Sequence, residues 1–210
     1  MSTLTPIAID VFDVSKQYRG KVGIKAVTTT FESGYLNLLI GQNGSGKSTL
    51  IKCIIGVVRY EGEIKRPKSS IGYAPEEYVM PYYMSVREFL SGIGKIRDIE
   101  RGTLQGEIDE QLEYFGLREH EHRHFGSLSN GMRQKVNLIQ AFLNHPKTIL
   151  LDEPLHALDE DAQEKTLKLI TSRMKESLII ISTHYPESFK TRKKRLYRMK
   201  EGSLCENDPV

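Results

Sequence analysis

Residues 36–56 read LNLLIGQNGSGKSTLIKCIIG, and this stretch decides the fold. The apolar run Leu36–Ile40 predicts a buried strand, and the pattern after Gly46 predicts a helix that ends near Gly56. Between them lies GQNGSGKST, which matches the phosphate-loop pattern G-x-x-x-x-G-K-[ST]. Because the motif follows a strand and opens a helix, it has the structural context that the pattern requires.

The chemistry of this loop is that of a phosphate cradle. Glycines let the loop curl so that successive backbone N–H groups point inward, and the helix N-terminus adds about half a positive charge. Lys47 is expected to reach the β and γ phosphates, Ser48 to offer its hydroxyl to Mg²⁺, and Thr49 to make a further phosphate contact. The predicted phosphate-binding residues are Gly41, Gln42, Asn43, Gly44, Ser45, Gly46, Lys47, Ser48 and Thr49.

Two further apolar runs, Ile149–Leu151 and Leu178–Ile181, also predict buried strands. Continuous rather than alternating runs are typical of a parallel sheet that is covered by helices on both faces. Helical patterns follow the run at Leu36 and, after Asp159, the run at Ile149. The predicted class is therefore α/β.

Polar residues stand where the second and third of these strands should end. Asp152 and Glu153 close the sequence TILLDE, and His184 follows the third run. Because parallel strands bring their carboxyl ends to one edge of a sheet, we expect these side chains and Lys47 around one pocket. Asp152 would then face Mg²⁺, and Glu153 would accept a proton from a water in line with the γ-phosphate. The alternatives are a surface acidic pair and a structural histidine.

Two subdomains are predicted beside this core. Ile7–Phe31 alternates loosely around a Gly-bearing turn, which predicts an antiparallel hairpin. Between residues 81 and 125 helical spacing takes over, with one helix expected to start at the N-cap Ser85 and another at Thr103. We predict a single domain with an antiparallel β subdomain at 1–35, a core at 36–76 and 145–210, and a helical subdomain at 77–144.

Composition excludes several other classes of protein. With 210 residues, 39% hydrophobic and 27% charged, the chain is neither disordered, collagen-like nor a coiled coil. No apolar run approaches the ~20 residues that span a bilayer, and residues 1–10 lack the features of a signal peptide. Cys53 and Cys205 are too few and too far apart for a disulfide framework or a zinc site. We therefore expect a soluble protein of a reducing cytosol.

The formal charge of +3 is unevenly distributed. Residues 190–200 carry seven basic side chains and no acid, and outside this segment 23 basic residues face 27 acidic ones. A nucleic-acid interface would need a basic face elsewhere too, so we expect a solvated edge here and no nucleic-acid partner. Contact with anionic lipid headgroups beside a membrane partner is the alternative.

Four further motifs identify a family resemblance: TILLDEP at 148–154, LSNGMRQK at 128–135, HALD at 156–159 and STH at 182–184. Together with the phosphate loop, their order and spacing resemble the nucleotide-binding subunit of ATP-binding cassette (ABC) transporters over nearly the whole chain. The resemblance implies a P-loop NTPase fold with a RecA-like parallel core, and an ATPase that uses ATP and Mg²⁺. A helix pattern after Ser129 adds independent support, because an N-cap serine would aim the positive end of that helix outward.

The resemblance also assigns residues to ATP. It implies a head-to-tail dimer in which two ATP molecules lie between the phosphate loop of one subunit and Ser129 and Gly131 of the other. Asp159 would cross that interface, and His184 would contact the γ-phosphate in its own subunit. Tyr18 stands where the family keeps an aromatic residue that stacks on adenine. Without the family, Tyr18 would be an ordinary strand tyrosine.

Two positions depart from the family pattern. Glu76, in IGYAPEE, replaces a glutamine that touches Mg²⁺, and we expect its carboxylate to act as a metal ligand together with Ser48 and Asp152, although its charge would repel phosphate. Asn130 replaces the first glycine of the family's LSGGQ signature, but an asparagine amide can still donate hydrogen bonds.

The partner implied by the resemblance is a separately encoded transmembrane permease subunit. The ATPase would be cytoplasmic and peripheral on the inner face of the cell membrane, as a homodimer or a heterodimer, and the short form and the APEE sequence favour an exporter. A soluble ABC ATPase acting on DNA or ribosomes is one alternative, although only 80 residues separate Lys47 from Leu128 and leave no room for a long coiled coil. A nucleotide-binding module without turnover is the other.

Two more segments have their own interpretation. His120, His122 and His124 have alternate spacing that would suit metal ligands on a strand, but they connect a helix to the signature loop without cysteines or acids to complete a site, so a solvated linker is expected. Tyr78–Met84 is rich in Tyr and Met, which favours contact with the membrane partner, with core packing as the alternative.

Overall fold

The computed structural model describes residues 6–77 and 81–209. The strands are β1 Ala8–Tyr18, β2 Lys21–Glu32, β3 Leu36–Ile40, β4 Glu61–Lys65, β5 Ile71–Ala74, β6 Thr148–Asp152, β7 Leu178–Thr183, β8 Lys194–Lys200 and β9 Ser203–Pro209. The helices are α1 Lys47–Ile55, α2 Val86–Ile96, α3 Arg101–Tyr114, α4 Asn130–Phe142 and α5 Glu160–Arg173. Short 3₁₀ turns occur at Arg118–His120, Phe125–Ser127 and Pro186–Ser188.

The central sheet has the strand order β5-β6-β7-β3-β8-β9. Every neighbouring pair from β5 to β8 is parallel, and β9 returns antiparallel to β8. All residues of β3, β6 and β7 are buried, as their continuous apolar runs predict, and two hydrophobic clusters cover the two faces of the sheet. The α/β prediction is confirmed, and the carboxyl ends of β3, β6 and β7 lie at one edge.

The predicted hairpin is confirmed as β1 and β2, which pair antiparallel. A third strand, β4, joins this sheet through β1, with Val11 opposite Ile64. Sequence reasoning placed Glu61–Lys65 within the core range 36–76, whereas the structure adds it to the antiparallel sheet. Because β4 is short and mostly exposed, its sequence has no apolar run that would reveal a strand.

Helices occupy the region between β5 and β6. As predicted, Ser85 caps α2: its hydroxyl accepts from the Glu88 N–H, and the Glu88 carboxylate accepts from the Ser85 N–H at 2.8 Å, which completes a capping box. The prediction that α3 begins at Thr103 was wrong, because the Glu100 carboxylate accepts the Thr103 N–H at 2.7 Å and starts the helix at Arg101. Within the two described ranges, helices long and apolar enough to cross a bilayer are absent.

The basic run at 190–200 was predicted to be a solvated edge, and this is wrong for its second half. Lys194–Lys200 forms β8, an inner strand between β3 and β9. Tyr197 and Met199 are buried while Arg198 and Lys200 are exposed, and Arg195, on the same side of the strand as the two buried residues, pairs with Glu32. The density of Lys and Arg hid this alternation in the sequence.

Candidate functional site

The phosphate loop forms a cradle that is open to an anion. Helix α1 begins after Gly46, which has φ 107°, and it has neither a capping side chain nor an acidic residue in its first turn. Only glycine fits there, because a Cβ at position 46 would lie 2.7 Å from the Gly23 carbonyl oxygen in an already unfavourable backbone conformation. The Ser45 hydroxyl oxygen is buried without a hydrogen-bond partner among the described residues. Uncapped N–H groups and a free hydroxyl are the donors that a phosphate requires.

Lys47 lies at the centre of the site. Its Nζ donates to the Gly41 carbonyl at 2.8 Å and to the Gln42 carbonyl at 3.3 Å, and the residue is 6% exposed. Burial lowers the pKa of Lys47, and the carboxylates of Glu153 and Asp152 oppose this shift. The ammonium group is therefore held at the loop by carbonyl oxygens, within reach of the cradle.

Asp152 is anchored where β6 ends. The residue is 2% exposed, and its Oδ1 accepts from the Ser48 hydroxyl at 3.0 Å and from the Ser182 hydroxyl. Ser182 Oγ also accepts the Glu153 N–H at 3.2 Å, so it fixes the turn that follows β6. The sequence analysis included Ser182 in the motif STH at 182–184 but gave it no role of its own. Ser48 and Asp152 together present hard oxygen ligands of the kind that Mg²⁺ prefers.

Glu153 is held in a strained conformation that places it in the cleft. Its φ is 48°, a left-handed value that is uncommon outside glycine and that occurs at functional sites. Burial raises the pKa of Glu153 to about 7, although the nearby Lys47 and the His184 backbone N–H act in the opposite direction. A carboxylate with a pKa near neutrality is well matched to the task of a general base.

His184 joins the two charged groups at the cleft. Its Nε2 lies 3.3 Å from Glu153 Oε1 and 3.4 Å from Lys47 Nζ, and its backbone N–H donates to Glu153 Oε2 at 3.4 Å. Burial, with the Lys47 charge, lowers the pKa of His184, which favours the neutral imidazole. The structure therefore brings together Lys47, Glu153 and His184, three of the four side chains that the sequence placed at one sheet edge.

A cavity of 380 Å³ surrounds these groups. Tyr18, 42% exposed, lies at its rim, and the Lys16 ammonium is 5.1 Å from the centroid of the Tyr18 ring. Lys21 also lines the cavity, although the sequence gave no reason to select it. The lining residues are Tyr18, Lys21, Val22, Gly23, Asn43, Gly44, Ser45, Gly46, Lys47, Ser48, Thr49, Glu76, Glu153 and His184.

Five predicted nucleotide contacts are not among the lining residues of this cavity: Gly41, Gln42, Ser129, Gly131 and Asp159. Ser129 is exposed and, as predicted, caps α4, its hydroxyl accepting the Met132 N–H at 3.2 Å. Gly131 is in the first turn of the same helix. Asp159 caps α5 by accepting the Ala162 N–H at 2.8 Å, and the pKa of Asp159 is lowered by that N–H and by Lys135, 3.1 Å away.

The two tyrosines of the aromatic segment that the structure describes are exposed, whereas Pro81 and Met84 are half-buried. Tyr82 and Tyr83 are 64% and 79% exposed, so core packing is excluded for both. Tyr82 and Glu76 line a second cavity of 310 Å³ between the loop after β5 and the start of α4. Residues 78–80 of the predicted partner segment lie outside the described residues.

The histidine segment folds as short turns ahead of α4. His122 and His124 are exposed, and His122 Nε2 lies 3.2 Å from Glu121 Oε1. The structure, over the residues it describes, contains no group of three or more His, Cys, Asp or Glu side chains that could hold a metal ion. The segment is solvated at these two residues, in agreement with the linker interpretation.

Comparison with known proteins gives one family. The family model described as "ABC transporter" matches residues 24–156 of the chain. A Bacillus subtilis protein, "Uncharacterized ABC transporter ATP-binding protein YxlF", is 31% identical over 183 residues, which cover 84% of this chain and 62% of that protein. "Nod factor export ATP-binding protein I" of Rhizobium johnstonii is 29% identical over 202 residues, which cover 88% and 64%.

Other similarities extend over more of the chain. "Spermidine/putrescine import ATP-binding protein PotA" of Bacteroides fragilis is 29% identical over 210 residues, which cover 93% of this chain and 45% of that protein. A solved dimeric ATP-binding cassette, in a post-hydrolysis state with ADP and Pi, superimposes with a TM-score of 0.86 at 21% identity, covering 95% of this chain and 97% of that one, and it shows the fold. The chain spans 45–64% of the length of these three curated relatives.

Proposed function

Because the chain belongs to the ABC transporter family, we propose that it is an ATP-binding and ATP-hydrolysing subunit that drives a separate transmembrane subunit. One observation carries this proposal: at the phosphate cradle His184 Nε2 lies 3.4 Å from Lys47 Nζ and 3.3 Å from Glu153 Oε1. Asp152 and Ser48 adjoin them, joined by a 3.0 Å hydrogen bond. This arrangement contains the groups that phosphoryl transfer requires.

The residues present fit Mg-ATP. The uncapped start of α1 and the buried Ser45 hydroxyl would bind phosphate oxygens, and Tyr18 at the rim would stack on the base. Ser48 and Asp152 would hold Mg²⁺, and Glu76 is the third expected ligand. When bound, the metal ion would neutralise charge on the phosphates. Lys47 would exchange its present carbonyl partners for phosphate oxygens.

Hydrolysis needs a base and a group that senses the terminal phosphate. Glu153 would accept a proton from the water whose oxygen forms the new bond to the γ-phosphorus, while the bond from that phosphorus to the β–γ bridging oxygen breaks and ADP leaves. Its pKa of about 7 leaves much of Glu153 ionised at neutral pH. His184, neutral and in contact with both Glu153 and Lys47, would hydrogen bond the γ-phosphate.

A second subunit is needed to complete each site. Ser129 and Gly131 lie at the outward-facing start of α4, and neither lines the cavity around Lys47. The free N–H groups at that helix start would be satisfied by the phosphates of an ATP bound to a partner copy. Asp159 would reach across the same interface. The dimeric state of the superimposable cassette supports this arrangement.

The membrane partner would bind at the exposed Tyr82 and Tyr83, and the chain would then be cytoplasmic and peripheral on the inner face of the membrane. We propose export as the direction of transport, supported by the resemblance of the APEE sequence to exporter ATPases and by the name of the Rhizobium relative. The Bacteroides relative is named for import, so transport by vesicles containing the co-purified partner must decide the direction.

A steady-state phosphate-release assay tests the proposed activity. The parent is expected to hydrolyse Mg-ATP, and Glu153→Gln should lose at least about a hundredfold in rate, the usual contribution of a general base. Arg101→Gln, at an exposed position in α3, is the matched control and should hydrolyse at the parent rate. A parent without turnover that still binds ATP would leave the non-hydrolysing module as the correct interpretation.

Sedimentation tests the dimer separately. Glu153→Gln should accumulate as a dimer in Mg-ATP, because the bound nucleotide bridges two surfaces and is not removed. The Ser129→Trp substitution places a large side chain at the exposed start of α4, and this variant should stay monomeric in Mg-ATP. If Glu153→Gln binds Mg-ATP and remains monomeric both alone and with its membrane partner, the two-subunit site is wrong.

A further inference from the structure

Helix α4 buries a row of polar side chains in addition to its apolar ones. Gln134, Asn137 and Gln140 recur at intervals of three residues and are 4%, 2% and 8% exposed. Side-chain amides are seldom this buried, and when they are, they form hydrogen bonds that hold something in place. The nucleotide site described above uses none of the three.

These amides cover an open sheet edge. Strand β5 pairs with β6 on one side only, which leaves carbonyl groups unpaired along its other side. Gln140 Nε2 donates to the Tyr73 carbonyl, and Asn137 Nδ2 donates to the Pro75 carbonyl at 2.9 Å. Tyr73 lies in β5 and Pro75 follows its last residue, and both carbonyls face α4, because they accept from side chains of that helix. The helix thus takes the place of a missing strand.

The amides also bond to one another and to the turn after β6. Asn137 Nδ2 lies 3.3 Å from Gln134 Oε1, and Gln140 Nε2 donates to the Asn137 carbonyl at 3.0 Å. Gln134 Nε2 donates to the Pro154 carbonyl at 3.1 Å, immediately after Glu153. We call Gln134, Asn137 and Gln140 the amide ladder. It connects one helix to both loops that supply acidic side chains to the site.

The Pro75 carbonyl belongs to the same peptide unit as the N–H of Glu76, so the bond from Asn137 fixes the plane from which Glu76 departs. Glu76 lines the 380 Å³ cavity, and its charge acts on Lys47, Glu153 and His184. We propose that Asn137 is a positioning residue that holds Glu76 toward the metal side of the nucleotide site. This inference rests on the proposed function, because it assumes that Mg-ATP occupies the cavity.

A double-mutant cycle on nucleotide binding tests the proposal without turnover. The probe is a fluorescent ATP analogue, and the readout is the ratio of its Kd in EDTA to its Kd in Mg²⁺. Glu76→Ala should lower this ratio, and Asn137→Leu, which keeps the volume but loses the donor, should lower it by about tenfold, the usual effect of losing an outer-shell partner of a metal ligand. In the double variant the ratio should be no lower than in Glu76→Ala alone.

A control separates positioning from loss of stability. Thr166→Val removes another buried hydrogen bond, that of the Thr166 hydroxyl to the Ala162 carbonyl at 2.7 Å within α5, and it should leave the ratio unchanged. Asn137→Ser keeps a shorter donor and should give an intermediate ratio. If Asn137→Leu fails to fold, Asn137→Ser takes its place in the cycle.

The outcomes separate the two proposals. If the parent binds the probe but the effects of Asn137→Leu and Glu76→Ala multiply, or Asn137→Leu keeps the parent ratio, the assignment of Asn137 is overturned while the proposed function stands. A parent that binds no nucleotide overturns the proposed function itself. If Thr166→Val also lowers the ratio of Kd in EDTA to Kd in Mg²⁺, the loss of a buried hydrogen bond elsewhere has the same effect as Asn137→Leu. That result too would overturn the assignment of Asn137.

Discussion

Gly72→Ala should be among the most damaging single-methyl changes in this fold. A Cβ at position 72 would lie 1.7 Å from the Ala141 carbonyl oxygen, and real Cβ contacts essentially never fall below 3.0 Å, so α4 and β5 must separate by at least 1.3 Å. The obstacle is backbone on both sides, which no rotamer change can relieve. Separation also breaks the bonds of Gln140 to Tyr73 and of Asn137 to Pro75, which hold the helix to the strand edge.

The magnitude follows from these two effects. Overpacking costs about 1–3 kcal/mol, and each buried polar group that loses its partner costs about 1–3 kcal/mol more. We therefore expect the free energy of unfolding to fall by about 4 kcal/mol or more, a large part of the ~5–15 kcal/mol typical of a domain. Urea unfolding followed by circular dichroism measures this fall directly.

Gly106→Ala is the matched control. Gly106 lies inside α3, is exposed, and a Cβ there would meet nothing within 4 Å. The same methyl should therefore raise the free energy of unfolding by ~0.5–1 kcal/mol through helix propensity and reduced freedom of the unfolded chain. If Gly72→Ala proves as stable as the parent within about 1 kcal/mol, the close seating of α4 on β5 is wrong.

Four further predictions concern the site and the helical region. The parent kcat/KM should fall as pH drops below about 7, because protonated Glu153 cannot act as a base, and the residual activity of Glu153→Gln should lack this limb. The folded state binds the Glu153 proton more tightly than the unfolded chain, so parent stability should decline as pH rises from 4.5 to about 7; a thermal-melt series in which parent and Glu153→Gln change alike would contradict this. Lys47→Ala should abolish binding of the fluorescent ATP analogue while the melting temperature stays within a few degrees of the parent value. Ser85→Ala should lower the free energy of unfolding by about 1 kcal/mol through loss of the α2 cap, and an unchanged urea midpoint would argue against the capping box.

The parts of the fold that the sequence predicted are those with local signals. Leu36–Ile40 is a continuous apolar run followed by glycines, so strand, loop and helix could be assigned without knowledge of distant contacts. Parallel topology then placed Glu153 and His184 near Lys47, because the ends of parallel strands meet at one edge. In the structure His184 Nε2 lies within 3.4 Å of both Lys47 Nζ and Glu153 Oε1.

What the sequence could not predict depends on partners far along the chain. Asn137 looks like a solvent-facing residue of α4, and only its bond to the Pro75 carbonyl, 62 residues away, explains why it is buried. Ser182 acquires its role from contact with Asp152, 30 residues earlier. Lys194–Lys200 could not be recognised as a strand from the sequence, because its basic residues outnumber its two buried side chains. In each case a polar residue finds its partner in the tertiary structure, and hydrophobic periodicity carries no information about such partners.

The position of α4 bears on how the two halves of the proposed site communicate. Its exposed first turn, at Ser129 and Gly131, would face the ATP of the partner subunit, while its buried polar face holds the loops that carry Glu76 and Glu153. Since the helix backbone is in contact with β5 at Gly72, a shift of the first turn must either move these loops or break the amide ladder. Closure of the interface between the two subunits would therefore shift Glu76 and Glu153 of the same subunit through the packing of α4. The double-mutant cycle of Asn137 and Glu76 tests this physical link, because additive effects would contradict it.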